Sequence, residues 1–232
     1  MYDADTLSGI STLGHSAHEK LNGSAYEKIV DHICNMPWSM ITNRELLQIA
    51  HAYYYFSIQF RENLEIACHL YPSDEDLKAL YAEECHTDNL SPWPCVAEIG
   101  EKLDHDEFMR RSLSLQPVDR ADHLRRAGIS YLETVHRVDR PTRAKSIASY
   151  EDGGLSRVFR AILRAPCWEG AALQAFQFFL EQHILFDSAS DQGHGTLCRH
   201  LAPDDSILPL WAAFRDMLTT AVPRLARGPS PT

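Results

Sequence analysis

The sequence predicts an all-α protein of about seven to nine helices, and three observations carry this prediction. Apolar residues recur at helical spacing, as Leu46, Ala50, Tyr54 and Ile58 do in one long segment. Proline, glycine and residues that cap helices punctuate the chain where such segments would begin and end. No alternating β-branched run between hairpin turns occurs, and no internal repeat is recognisable. Short connections favour antiparallel packing of neighbouring helices.

The predicted helical segments follow from these signals in chain order. The first ends before Pro37, and Thr42 or Asn43 then caps a long central helix that Pro72 terminates. Acidic residues at 74–76 favour the start of the next helix, because the helix dipole is positive at that end. The segments are 15–34 with a kink near 22–23, 43–71, 76–90, 96–103, 105–115, 121–138, 142–150, 155–164, one ending at Asp187, and 206–225.

Length and composition predict one domain and exclude some partners. A chain of 232 residues can bury one large core, which we assign to 15–226, between a loosely ordered N-terminus at 1–14 and a flexible tail at 227–232. The net charge of -10 opposes binding to nucleic acid or to an anionic membrane surface. No apolar run reaches the roughly 18 residues of a membrane span, and no leader is recognisable, so a cytoplasmic location is expected.

The stretch Phe178–Leu201 concentrates side chains that can bind metal. His183 and Asp187 are four residues apart, which places them on one face of a helix. His194 is also in phase, but a continuous helix would separate it from His183 by about 16 Å along the axis. His194 can therefore join the other two only if residues 188–193 leave the helical path, which the glycines flanking His194 permit.

Two Glu-x-x-His pairs offer further ligands, and they support two interpretations. Glu83 with His86 and Glu133 with His136 together match the pattern of ferritin-like di-iron bundles. That interpretation leaves His183 without a role, and it requires long regular helices across a segment that three prolines interrupt. The other interpretation combines the first pair with the Phe178–Leu201 stretch and one more glutamate.

In this second combination the chain resembles the haem-oxygenase-like di-iron oxidases. The resemblance lies in the Glu-x-x-His of AEECHTDNL, the Tyr150-Glu151 region, and the His-x-x-x-Asp with a further His in EQHILFDSASDQGHG. The final His follows the Asp by seven residues, whereas family members have about one helical turn, so Asp191 is an alternative or supplementary ligand. The resemblance implies a haem-oxygenase-like bundle with six metal ligands: Glu83, His86, Glu151, His183, Asp187 and His194.

The resemblance also implies a function. Such enzymes bind two Fe2+ ions, use O2 as co-substrate and oxidise a small molecule by desaturation, C–H functionalisation, ring formation or N-oxygenation in specialised metabolism. We expect an amino acid or a metabolite derived from one, an external electron donor, and a homodimer. Tyr54 and Arg61 on the central helix are weaker candidates for substrate contact, the arginine because it could bind a carboxylate.

Three other functions are compatible with the same helical pattern. A metal-independent enzyme, similar to thiaminase II or to the enzyme that forms a quinone cofactor, would share the fold without needing the ligand set. A haem-binding relative would need one axial histidine near the N-terminus, for which His15 or His18 would serve. A helical interaction protein would carry its twelve histidines incidentally.

Overall fold

The computed structural model describes residues 24–187 and 194–227, and within these ranges it is all-α. The described residues contain no β-strand, only two isolated antiparallel pairs, Thr87 with Leu103 and Trp93 with Ala97. The predicted fold class is confirmed. Residues 1–14, all but one residue of the predicted tail, and 188–193 lie outside the described ranges. No helix in the described ranges is both long and apolar enough to cross a bilayer.

Ten α-helices form the described part of the chain, and nine of them have eight or more residues. The predicted helix at 96–103 is wrong, because Cys95 and Gly100 adopt left-handed backbone angles and the segment is a series of turns. The helices are α1 (Ala25–Cys34), α2 (Asn43–Leu70), α3 (Glu75–Glu84), α4 (His105–Ser114), α5 (Ala121–His136), α6 (Arg140–Ser149), α7 (Leu155–Ile162), α8 (Ala171–Asp187), α9 (His194–Cys198) and α10 (Leu208–Ala221).

Helix α2 is the axis on which the other helices pack. Thr42 and Glu45 form a capping box at its start, in which each side chain binds the other residue's backbone N–H. Its 28 residues contact α3, α4, α5, α6, α8 and α10. Tyr53 and Phe56 of α2 lie at the centre of a buried aromatic cluster. Burial of each large apolar side chain contributes about 1.5–3 kcal/mol, so this cluster stabilises the helices around α2.

A kink at Tyr150–Gly154 separates α6 from α7. The backbone forms one π-helical turn there, and Gly153 has a φ of 93°, a left-handed angle that favours glycine. A Cβ atom on Gly154 would overlap the carbonyl oxygen of Ser149. The two glycines therefore permit a bend that a regular helix could not make, and the bend directs the Glu151 side chain into the interior.

Candidate metal centre

Five buried Glu and His side chains converge from five elements of the fold. Glu84 is the last residue of α3, His105 the first of α4, and His194 the first of α9, while His183 lies on α8 and Glu151 in the kink. None of the five is more than 8% exposed. Because burying such polar groups is costly unless they have partners, their convergence calls for a physical explanation.

The first of two groups consists of Glu84, His105 and His183. Nδ1 of His105 lies 2.7 Å from Oε2 of Glu84 and 3.2 Å from Nε2 of His183. The same Nε2 lies 4.0 Å from that carboxylate oxygen. One oxygen and two ring nitrogens therefore face a common point, and together they could hold a metal ion.

The hydrogen bonds of His183 determine which of its nitrogens carries a proton. Nδ1 lies 2.7 Å from the carbonyl oxygen of Phe179, which can only accept, so Nδ1–H donates. Burial, reinforced by the neighbouring His105, lowers the pKa of His183 to about 4. The ring is therefore neutral near pH 7, and its Nε2 presents a lone pair to the first group.

The hydrogen bonds of His105 lead to the same result. The Asn89 amide nitrogen donates to the carbonyl oxygen of Glu83, which leaves Oδ1 of Asn89 as an acceptor 3.2 Å from Nε2 of His105. Nε2–H of His105 donates to it, so in the neutral ring Nδ1 also carries a lone pair. Three hydrogen-bond acceptors then face one another: Oε2 of Glu84, Nδ1 of His105 and Nε2 of His183. Because acceptors repel one another without a shared cation, this arrangement requires either a metal ion or a proton on His105 Nδ1.

The second group shares Glu84 with the first. Nδ1 of His194 lies 3.0 Å from Oε1 of Glu84 and 3.0 Å from Oε2 of Glu151. Oε1 of Glu84 is buried and accepts no hydrogen bond, despite the nearby ring nitrogen. The two oxygens of one carboxylate thus face different groups, each of which could hold a metal ion.

The charge state of Glu84 suits a ligand. Burial raises the pKa of its carboxyl group, but the charge of a protonated His105 and the hydrogen bond from its ring, followed by His194 and with His183 contributing least, lower it by more. The net effect is a pKa below the ordinary value. Glu84 is therefore ionised near neutral pH, the form that binds cations.

Three predicted ligands lie in the centre. Glu151, His183 and His194 are brought together although 43 residues separate the first from the last. Helix α8 ends at Asp187 and α9 begins at His194, whose ring returns to the centre. The side chains of Asp187 and Asp191 lie outside the described residues.

The predicted pair Glu83 and His86 is not brought together on one helix. Helix α3 ends at Glu84, and His86 has a φ of 49° and an exposed side chain in the following turn. Consecutive helical residues point about 100° apart, so Glu84 faces inward and Glu83 stays half-exposed. Glu83 still touches the centre from outside, with Oε2 3.0 Å from Nε2 of His194.

Sequence reasoning missed Glu84 and His105, although a signal existed for each. Glu84 continues the apolar positions Leu77 and Leu80 at intervals of three and four residues. On α4, His105 likewise precedes the buried Phe108 by three residues and the buried Met109 by four. A titratable residue in phase with an apolar stripe indicates burial, and this criterion would have selected both.

The ferritin-like combination is not assembled. Glu133 is exposed on α5. Nε2 of His136 lies 2.7 Å from Oε2 of Glu62, and the His136 side chain is 46% exposed. Glu133 and His136 therefore lie on the outer face of α5 and contribute nothing to the groups around Glu84.

The two weaker substrate candidates lie outside the cavity next to the centre. The Arg61 guanidinium pairs with Asp106 and Glu65, which together accept from three of its five N–H groups. Tyr54 lines a separate cleft between α2, α4 and α5. Its neighbour Tyr53 instead lines the cavity of the centre.

That cavity is small and mostly walled by apolar and aromatic groups. Its volume is about 10 Å³, roughly the space that one water molecule needs. Besides four of the five ligand candidates, its walls are Tyr53, Ser57, Phe60, Leu155 and Phe179. The centre is therefore shielded from bulk water, which strengthens electrostatic interactions inside it.

No protein-family model, no curated protein and no solved structure matches this chain. The donor set is therefore the basis for any functional assignment. It contains three imidazoles and two carboxylates and no thiolate, a mixture that suits iron, manganese or zinc in a functional site. Structural zinc sites, by contrast, usually contain cysteine.

Proposed function

We propose that this chain is a non-haem di-iron oxidase or oxygenase that uses O2 to oxidise a small substrate. The observation that carries the proposal is the position of Glu84, whose Oε2 faces His105 and His183 and whose Oε1 faces His194. A carboxylate that presents one oxygen to each of two groups could serve as a ligand to two metal ions at once.

Iron is the metal that the proposal favours. Imidazole and carboxylate together suit a redox-active ion of intermediate hardness, and five ligand residues leave open positions on two ions. Two ferrous ions, when bound, would supply the electrons with which O2 is activated. The resemblance to haem-oxygenase-like di-iron oxidases supports this choice at three of the six positions that it implies, namely Glu151, His183 and His194.

The protein's own groups would bind the ions, exclude water and limit the substrate. Glu84 and Glu151 supply negative charge, and the histidines supply neutral nitrogen donors. Tyr53, Phe60 and Phe179 keep bulk water from the centre. Because the cavity is so small, the substrate must either be small or approach through a movement of the surrounding side chains. We propose an amino acid or a related metabolite, an external electron donor, a cytoplasmic location and a homodimer.

The experiment is anaerobic titration of the metal-free protein with Fe(II), followed by mixing with O2 and a panel of amino acids. We expect two ions per chain, and faster O2 consumption with a transient visible absorption band when the right substrate is present. Glu84→Ala should bind neither ion, while Glu75→Ala, on the exposed start of the same helix, should behave as wild type. Failure of the wild-type protein to bind iron would overturn the proposal.

One observation favours a second candidate, a metal-independent enzyme of the same fold. A proton on Nδ1 of His105 would also satisfy the three acceptors, because it could be shared with Glu84 and His183. The centre would then act as a general acid and base. Activity that survives complete removal of metal would select this function over the first.

A further inference from the structure

Glu83 touches the centre from the solvent side of the protein. Its side chain is 52% exposed, and Oε2 lies 3.0 Å from Nε2 of His194, a ring that is almost fully buried. The other nitrogen of that ring, Nδ1, faces Glu84 and Glu151. Two successive residues of α3 therefore hold opposite sides of one imidazole.

This contact determines which nitrogen of His194 faces the carboxylates. An ionised carboxylate can only accept a hydrogen bond, so Nε2 must carry the proton that Glu83 binds. In the metal-free protein Nδ1 likewise donates to the carboxylate of Glu151, and only a metal ion that displaces this proton would find the Nδ1 lone pair between Glu84 and Glu151. An outer carboxylate of this kind also increases the basicity of a ligand imidazole.

The three histidines differ in the groups that hold them. The carbonyl oxygen of Phe179 holds His183, and the amide oxygen of Asn89 holds His105. Both acceptors are neutral, whereas His194 has a carboxylate. Hydrogen bonds to charged acceptors are roughly twice as strong as neutral ones, so Glu83 is the strongest of the three holding groups.

Two packing contacts constrain the plane of the His194 ring. The Phe186 ring lies parallel to it, with an interplanar angle of 8° and centroids 6.2 Å apart. A Cβ atom on Gly195 would lie 3.0 Å from the carbonyl oxygen of Glu151, so α9 packs tightly on the kink. The contact with Glu83 acts on Nε2, the nitrogen that faces away from Glu84 and Glu151.

We propose that Glu83 is a positioning residue that holds the lone pair of His194 Nδ1 toward Glu84 and Glu151, and so sets the metal affinity of the second group. The inference rests on the proposed metal centre. It assigns to Glu83 a role beside the metal ligands, since its carboxylate faces the nitrogen on the far side of the ring.

The first test compares Glu83→Leu and Glu83→Gln in Fe(II) and Co(II) titrations of the full chain. The leucine removes the acceptor, and we expect it to weaken one of two binding events about 10–100-fold. The glutamine keeps an oxygen that can accept from Nε2–H, so most of the affinity should return. Glu75→Leu, a matched loss of charge at the other end of α3, should leave both events unchanged. Equal affinities in wild type and Glu83→Leu would overturn the inference.

The second test does not need a metal. In 15N NMR spectra of the metal-free protein at pH 8, Nε2 of His194 should have the shift of a protonated ring nitrogen in wild type and in Glu83→Gln. In Glu83→Leu its shift should move toward that of an unprotonated nitrogen. Unchanged spectra, or an unprotonated Nε2 in wild type, would refute the role of Glu83. A wild-type protein that binds no metal but shows the expected shifts would refute the proposed function instead.

Discussion

The two groups that share Glu84 differ in the structure that supports them. His105 and His183 lie on regular helices, and neutral acceptors hold both rings. Glu151 and His194 lie on a kink and on a five-residue helix, where glycine packing and the exposed Glu83 position them. The first group therefore depends on helix packing, and the second on local backbone geometry.

The two groups also differ in charge. The first combines a shared carboxylate with two imidazoles, whereas the second adds the carboxylate of Glu151 and has only one imidazole. Carboxylate oxygens favour harder cations, and imidazole nitrogens favour Zn, Cu, Fe and Ni. We therefore expect the groups to respond differently to the same metal and to separate substitutions.

The largest effect is expected at Glu84, because it belongs to both groups. Glu84→Ala should abolish binding of both ions, and Glu84→Gln, which keeps the volume but loses the charge, should bind neither tightly. Metal analysis of the purified proteins after Fe(II) loading and desalting measures this, with circular dichroism to verify the fold. Retention of one ion in Glu84→Ala, which has no side-chain oxygen, would mean that the carboxylate is not shared.

Single histidine replacements should remove one ion each and so separate the two groups. His183→Ala should lose the ion of the first group and His194→Ala that of the second, leaving about one per chain in either protein. Co(II) absorption spectra would distinguish the two, because the remaining ion has two imidazoles in one variant and one imidazole in the other. Identical spectra from the two variants would contradict two distinct groups.

Gly195→Ala should weaken only the second group. The added Cβ would lie 3.0 Å from the carbonyl oxygen of Glu151, so α9 must shift away from the kink and move His194. We expect roughly a tenfold loss of affinity at one of two binding events, as outer-shell changes at metal sites produce. Thr196→Ala, an exposed neighbour, is the matched control. Weakening of both events would mean that the groups are mechanically coupled.

Asn89→Leu should weaken mainly the first group, by about tenfold or less, because it removes the neutral acceptor that holds His105. The second event should change less, since Asn89 contacts only the backbone carbonyl of Glu83 there. The result complements the Glu83 variants, since a neutral acceptor should matter less than a charged one. Calorimetric titration with Co(II) measures both binding events. A larger loss of affinity in Asn89→Leu than in Glu83→Leu would mean that the neutral acceptor matters more than the charged one.

A separate effect concerns pH and the stability of the metal-free protein. Burial lowers the pKa of both His183 and His51 to about 4, and the neighbouring His105 adds to the effect at His183. Between pH 6.5 and 4 the unfolded chain binds protons at these residues that the folded protein does not. The free energy of unfolding should therefore fall as the pH falls, by about 3 kcal/mol at most for His183.

Urea unfolding at several pH values would test this expectation, with His51→Gln as the comparison. His51 lies in the cleft between α2, α4 and α5, outside the metal centre. Its replacement should flatten the pH dependence without changing metal binding. An unchanged slope in this variant would show that His51 does not titrate on unfolding, and the remaining dependence would then belong to the centre.

Part of the candidate site could be predicted because spacing and turn signals are local. Glu151, His183 and His194 were selected from order and spacing along the chain, and all three meet in the centre. Glu84 was missed because the Glu-x-x-His pattern assumes that the helix continues to His86, whereas α3 ends at Glu84. His105 was missed because it follows a loop of 20 residues, 85–104, whose path no local signal describes.

Local chemistry was enough to determine the all-α class, the capped start of α2 and the glycine-dependent break after Glu151. These features depend on periodicity, on side chains that bind nearby backbone groups, and on glycine's freedom to adopt a positive φ. Only the tertiary structure decided that Glu84 and His105 meet His183. The reason is physical: which face of a short helix is buried, and what meets it there, depends on the packing of helices far apart in the chain.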